Sequence, residues 1–451
     1  MLSGEIICLG RPRLQPTSHD LAFKLFFRRA MNFDPMQRRA VITGMGVIAA
    51  NGLDLATFWY SIRNGVSPAA PVTRFDASPM TSRLAAEVKN FDGRNYMDMK
   101  MVKRSDLATQ FAIAAASLAV QDAALDFRGM DHDRIGVIEG TTVSGMESVL
   151  KGHKNYLDND GFRGLSPITV INGYCGEGSS RIALHLGVKG HALTYCSGCA
   201  SGNDAIGYAQ QMVRQDEVDV MVAGATDDMM IEPMYAGFCL LRVMTQRQEN
   251  PAGAMRPFDR SRDGFVLGEG AAFVVVEELS HALARGAHIY AEILGHGRSC
   301  EAYNPTDTHP DGVGFRRAIE KSLRNARVHP SEVDYINAHG TATDTNDPIE
   351  TRAIKAVFRD HAARVAVSST KPITGHAMGA AGAIETVVCA LALQHQEIPP
   401  TINLQEPDAG CDLDYVPGKS RPYPIRLAMN LNAGFGGKNA CLILGKYSGS
   451  Q

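Results

Sequence analysis

Tryptophan occurs once in 451 residues, and aromatic side chains make up only 7% of the chain. Platforms that bind single strands stack bases on aromatics within a basic groove. Here 45 basic residues face 48 acidic ones, for a net charge of −3, so no nucleic acid partner is expected. No apolar run reaches the about 18 residues of a membrane span, and no membrane is expected either. Cysteine is sparse and irregular, with nine copies at positions 8, 175, 196, 199, 239, 300, 389, 411 and 441. That odd scatter has no disulfide framework and suits free thiols in a cytoplasmic protein. No Cys/His group has zinc spacing, so no metal is expected.

What the chain does have is glycine, 44 copies, with 45% apolar and 21% charged residues, the profile of a loop-rich α/β enzyme. Its length exceeds what one hydrophobic core usually supports, so two core halves are expected. Residues 1–37 differ in kind, with Arg11, Arg13, Lys24, Arg28 and Arg29 but few acids. A transit peptide, a start site upstream of the true one (Met31 or Met36) and a disordered extension all remain open.

Cys199 stands at a sharp junction. Ala192 to Tyr195 reads as a strand, and Ala205, Ala209, Met212 and Val213 have helical spacing after it. Ser197, Gly198, Ala200, Ser201 and Gly202 let the chain turn between them. A thiol over the positive end of a helix is expected to favour thiolate, which makes a nucleophile. The pair Cys196-x-x-Cys199 also admits a redox reading, but the chain is far too long for a thioredoxin-like protein.

Two strand-like runs, Val333 to Ala338 and Val367 to Thr370, lead into glycine-flanked loops that carry His339 and His376. A single histidine is usually an inert core residue. Two at loop tips, with a cysteine at a third, predict a converging site. A fourth loop, Asn432-Ala433-Gly434-Phe435-Gly436-Gly437, leaves backbone N–H groups uncovered for a ligand.

The remaining pattern predicts a first strand from Arg39 to Gly46, a helix over 54–64, a strand pair around 83–91 and a helix from Leu107 to Leu125. Strands follow at Arg134–Gly140, Val218–Gly224, 265–276 and 287–297, then helices at 313–327 and Gly382–Leu393. A strand pair near 426–431 and 440–445 closes the chain. Gly44-Met-Gly46-Val-Ile-Ala49 mimics a dinucleotide fingerprint but lacks the acid about twenty residues on, so a tight strand-to-loop turn is the preferred reading. The order looks duplicated: Arg134–Gly140 corresponds to Val333–Ala338, the Cys199 junction to the His376 segment, and Val218–Gly224 to the Gly434 strand.

Cys199, His339, Lys371, His376, Glu385 and Gly434-Phe435-Gly436-Gly437, in this order, resemble the elongating β-ketoacyl-acyl-carrier-protein synthases. Arg256-Pro-Phe-Asp259, Arg262 to Gly270 and Thr341 to Glu350 add to the likeness, which runs from about Arg39 to about Gly445. The resemblance implies a thiolase fold: an α/β architecture of two similar βαβ-rich halves layered α-β-α-β-α, here divided as 38–285 and 286–451. It implies a decarboxylative Claisen condensation of malonyl carrier with an acyl chain bound to Cys199.

In that family His339 and His376 stabilise the malonyl thioester, while Cys199 and Phe435 supply backbone N–H groups to the acyl thioester. Lys371 acts electrostatically with Glu385 as counter-charge. Thr341 and Thr343 contact the pantetheine arm, and Phe435 gates the site. Arg242, with Lys100 and Arg104, falls where an acyl carrier protein docks. No cofactor is implied beyond the phosphopantetheine that arrives on the carrier.

Within the family, Gly198, Ala433, Asp204, Asn346-Asp347 and Cys411 to Pro417 resemble the type II polyketide ketosynthase subunits. The fatty-acid enzymes usually carry Phe at 433 and Ala at 198, so Ala433 predicts a wider or differently shaped acyl tunnel. Fatty-acid elongation by a homodimer is the alternative to a heterodimer with a chain-length-factor subunit. A chain-length factor itself would lack the nucleophile, and a thiolase would need a second cysteine within 432–437. A chain-initiating synthase would need Asn at 376, and a cysteine hydrolase would leave Lys371 and His376 unexplained.

Overall fold

The computed structural model describes residues 38–159 and 161–449. The N-terminal extension of residues 1–37, Met31, Met36 and Cys8 included, lies outside the described residues. Ten strands form one mixed sheet. They are β1 (Ala40–Ala49), β2 (Ile135–Gly140), β3 (Ala192–Tyr195), β4 (Val220–Asp227), β5 (Gly270–Glu278), β6 (Ala291–Cys300), β7 (Tyr335–Asn337), β8 (Ala366–Ser368), β9 (Leu427–Gly434) and β10 (Lys438–Gly445). Their spatial order is β8-β7-β9-β10-β6-β1-β5-β4-β2-β3.

This order reads the same from either edge. From one edge, β3, β2 and β4 run parallel, and β5 and then β1 pair antiparallel. From the other, β8, β7 and β9 run parallel, and β10 and then β6 pair antiparallel. Among the described residues, the two sets meet only through Val41–Glu292 and Ile42–Ala291 of β1 and β6. The three correspondences expected from the sequence are present, with β2 matching β7, β3 matching β8 and β4 matching β9.

Helices complete five layers. α1 (Leu107–Asp122) covers β1, β5 and β4, with the Asp106 side chain accepting from Thr109 N at 3.0 Å as its N-cap. α2 (Ser201–Arg214) and α4 (Ala381–His395) pack on each other between the two half-sheets, and α3 (Val313–Ala326) covers β6 and β10. Every residue of α4 from Ala381 to Leu393 is buried, as expected for a helix that is apolar all round. The window Met378–His395 reaches membrane-span length with a mean hydropathy of 1.2, which corrects the expectation that no such run exists. It is 89% buried inside the protein, so it is a core helix.

Other departures have steric causes. Gly44 and Gly46 lie inside β1, not at a turn, and a Cβ on Gly46 would sit 2.1 Å from Ala115 O of α1. The glycines therefore permit close strand–helix packing, and the dinucleotide reading is excluded by their place in the strand. Residues 83–91 contain one short strand, Leu84–Ala86, which pairs with Ala70–Pro71 and Leu267–Gly268. The helices Glu232–Leu241 and Asn346–Phe358 were not anticipated.

Glu139 is fully buried in β2, with Thr194 Oγ1 3.4 Å away and Oε1 without a partner. Burial pushes its carboxyl up to about 8. Between its unfolded value near 4.3 and about 8, the folded chain keeps a proton that the unfolded chain has released. Stability therefore falls as pH rises through that window, by on the order of 5 kcal/mol in full. Glu139→Gln is expected to exceed wild type in urea melts at pH 8.5, with the gap closing at pH 5. An equal gap at both pH values would show that the carboxyl is not held neutral.

Candidate active site

The turn from β3 into α2 is fixed by its own small residues. Ser197 N donates to Ser201 Oγ at 2.9 Å, and Ser201 Oγ donates to Gly198 O at 2.6 Å. Gly198 has φ +63°, and a Cβ there would lie 3.3 Å from Gly434 Cα. Glycine thus admits both the left-handed turn and the close approach of the 432–437 loop. Around the turn, Cys199, His339, Thr341, Thr343, His376, Ala433, Gly434 and Phe435 line one cavity of about 110 Å³. The three predicted loops and the glycine loop converge.

The His339 and His376 rings stand 5.5 Å apart at 83°. Burial, then the Lys371 charge, holds both well below the usual imidazole range. Each ring is therefore neutral and carries one N–H. His339 is positioned by Glu350, which accepts from His339 N at 2.6 Å and Gly340 N at 2.9 Å. The edge of Phe265 meets the His376 ring at 5.0 Å.

Lys371 does not line the cavity. It is fully buried behind it, donating to Glu385 Oε1 at 2.6 Å, while Asn432 Nδ2 donates to Glu385 Oε2 at 2.6 Å. Removing one member of such a pair leaves a buried charge, so this is not an ordinary surface pair.

The thiol departs from expectation. Burial pushes Cys199 up to about 12, outweighing the opposing pull of Lys371. The field at the start of α2 does not overcome that desolvation, so the closed site holds a thiol and not a thiolate. Iodoacetamide alkylation of Cys199 is expected to rise about tenfold per pH unit from pH 7 to 9, following the thiolate fraction. A plateau near pH 7 would contradict the raised value. Cys199 Sγ points to Met378 Sδ at 3.9 Å, and the Cys196 thiol points to Thr142 O at 3.7 Å. The eight described cysteines are all free, which leaves the redox reading without a disulfide.

Three contributors were not anticipated from the sequence. Met378 touches the thiol. Phe238 lies between Phe435, 6.5 Å away, and Phe265, 6.1 Å away. Asp227 accepts from Thr141 Oγ1 at 2.8 Å, Thr142 N at 3.0 Å, Thr142 Oγ1 at 2.6 Å and Gly379 N at 2.6 Å. It ties the end of β2 to the loop that carries Met378. The only hint was an acidic pair, Asp227-Asp228, ending an apolar strand. Of the basic residues, Arg242 is exposed beside the cavity-lining Val243. Lys100 and Arg104 are exposed on the short helix Met99–Arg104 and do not line the cavity.

A cysteine on a strand-to-helix turn, faced by two neutral histidines inside a duplicated five-layer α/β fold, defines a thiolase-fold condensing enzyme. The family descriptions "Beta-ketoacyl synthase, N-terminal domain" and "Beta-ketoacyl synthase, C-terminal domain" match residues 37–282 and 290–405. The chain is 43% identical to the 3-oxoacyl-[acyl-carrier-protein] synthase 2 of Coxiella burnetii over 91% of its own length and 99% of that protein. It superposes on the ishigamide ketosynthase/chain length factor with TM-score 0.86 and 36% identity, covering 91% of this chain and all (100%) of that one. A type II polyketide ketosynthase bound to its acyl-carrier protein gives TM-score 0.82 and 34% identity, again over 91% and 100%. The chain belongs to the β-ketoacyl synthase family and is an acyltransferase of the condensing type.

Proposed function

We propose that this enzyme extends a polyketide chain, joining malonyl units to an acyl group on Cys199 beside a chain-length-factor partner. The convergence of Cys199, His339 and His376 on one cavity carries the chemical part of this reading. In the first half-reaction Cys199 sulfur attacks the carrier thioester; its proton passes to the departing pantetheine sulfur. The N–H groups of Cys199 and Phe435 face the developing oxyanion, and Gly434 keeps this spot open, since a Cβ there would lie 2.9 Å from Cys199 N.

In the second half-reaction the malonyl C–C bond breaks to release CO₂. The enolate oxygen takes hydrogen bonds from His339 and His376, and the enolate carbon attacks the acyl carbonyl. Cys199 thiolate leaves and regains a proton from solvent. Thr341 and Thr343 hold the pantetheine arm, and Phe435, exposed at the cavity rim, gates the exchange of carriers. Neither half-reaction moves a hydride and the two imidazole N–H groups serve the enolate oxygen, so this reading needs no resident cofactor or metal.

Arg242 and the neighbouring Leu240, 85% exposed, offer a basic and apolar footing for the acidic carrier. The free edge of β3, where Ala192 and Leu193 are exposed, fits a second subunit that continues the sheet. The polyketide branch rests on the Gly198, Ala433 and Asp204 pattern and on the likeness to the two polyketide structures. Fatty-acid elongation as a homodimer is the second reading, favoured by the 43% identity to the Coxiella burnetii enzyme. We place the enzyme in the cytoplasm, consistent with its free thiols.

The test is condensation by the purified chain with acyl and malonyl carriers, alone and with a co-expressed chain-length-factor subunit. Extension only in the presence of the second subunit is expected. Efficient extension by the chain alone would overturn the polyketide reading in favour of the fatty-acid one.

A further inference from the structure

A second cleft, of about 470 Å³, lies where the two half-sheets part. β6 is joined to β1 only at Ala291 and Glu292, so its edge carbonyls beyond that point have no strand to pair with. Side chains cap them instead. Gln210 Nε2 donates to Ile293 O, Arg214 Nη2 to Leu294 O at 3.0 Å, Asn325 Nδ2 to His296 O at 2.6 Å, and Lys321 Nζ to Arg298 O at 2.9 Å.

The caps fix two cations against neutral carbonyls, which leaves their charge uncompensated. The Arg298 side chain also lines the cleft and makes no hydrogen bond or ion pair among the described residues. His296 completes the lining, with Nε2 3.0 Å from Asp204 Oδ1. Asp204 also accepts from Ser197 Oγ at 2.6 Å. Glu292, whose charge acts on Arg214, is held in a two-bond pair by Arg39. Burial leaves Arg214 below its ordinary value, although the charge of Glu292 opposes this more strongly than that of Arg327 adds to it.

We infer that this cleft binds the phosphoryl group of a small anionic metabolite. Two guanidinium groups, of Arg214 and Arg298, and the Lys321 ammonium line it, a donor set that suits phosphate oxygens. Pre-positioning of Arg214 and Lys321 by backbone carbonyls lowers the ordering cost of binding. The cleft is several times larger than a phosphate ion, leaving room for the body of a metabolite. It is separate from the Cys199 cavity, and no lining residue is shared.

Calorimetry with the full chain tests this, using inorganic phosphate, pyrophosphate and AMP in turn at low salt. Saturable binding of at least one probe is expected, weakened by added salt. Arg298→Ala and Lys321→Ala should each weaken it about tenfold, while the exposed Lys103→Ala should leave it unchanged. Both test residues are exposed, so the variants will fold. Enzyme alkylated at Cys199 should bind equally well. AMP binding tighter than phosphate would identify a metabolite as the source of the phosphoryl group, and binding of the inorganic probes alone would identify free phosphate. Absence of saturable binding, indifference to both substitutions, or loss on alkylation would overturn the assignment.

Discussion

Cys199→Ala is expected to abolish acyl transfer and condensation, by at least about 10⁴-fold, while malonyl carrier still loses CO₂. In the proposed mechanism the thiol is the sulfur that takes the acyl group, and its neighbour Met378 is a thioether that cannot replace it. His339 and His376 remain in place, since their positions depend on Glu350, Phe265 and the β7 and β8 loops rather than on the thiol. The enolate then has no acyl partner and takes a proton, giving acetyl carrier. Mass spectrometry of the carrier separates the outcomes. Equal loss of condensation and decarboxylation would mean that Cys199 does more than carry the acyl group.

His339→Ala and His376→Ala are expected to do the converse. Each removes one N–H from the oxygen that becomes negative, which costs about 10²–10³ in rate. Formation of the acyl-Cys199 thioester should stay within about tenfold of wild type. In the proposed mechanism both histidines serve one oxygen, so the two losses should not add. Both are held neutral by burial and by the Lys371 charge, so decarboxylation should stay flat between pH 6 and 8. A step near pH 6.5 would show an imidazolium in the site.

The residues that converge on the cavity were legible because their surroundings are small and ordered in the chain. Gly198, Ser201 and Gly434 announce turns, and the His339 and His376 loops repeat one strand–loop pattern. The half-to-half correspondence was visible for the same reason. Charge state was not legible. The helix start argued for a thiolate, but desolvation depends on how many segments close over Cys199, and these come from all parts of the chain.

Long-range clamps were equally silent. Asp227 meets Thr142 and Gly379 from positions 85 and 152 residues away. The helix Asn346–Phe358 was hidden by Pro348 in its first turn, where proline is tolerated because the N–H has no helical partner. Gly44 and Gly46 misled for a steric reason, since close packing on α1 and a phosphate-binding turn both call for glycine.

Intact-mass and peptide mass spectrometry of the wild-type enzyme, first with an acyl carrier and then with malonyl carrier, decides whether Cys199 is the condensing nucleophile. We expect the acyl mass on the peptide that contains Cys199, followed by its loss and the appearance of a β-ketoacyl carrier extended by one malonyl-derived unit. An acyl group found on any other residue, or an extended product formed without passing through Cys199, would contradict it.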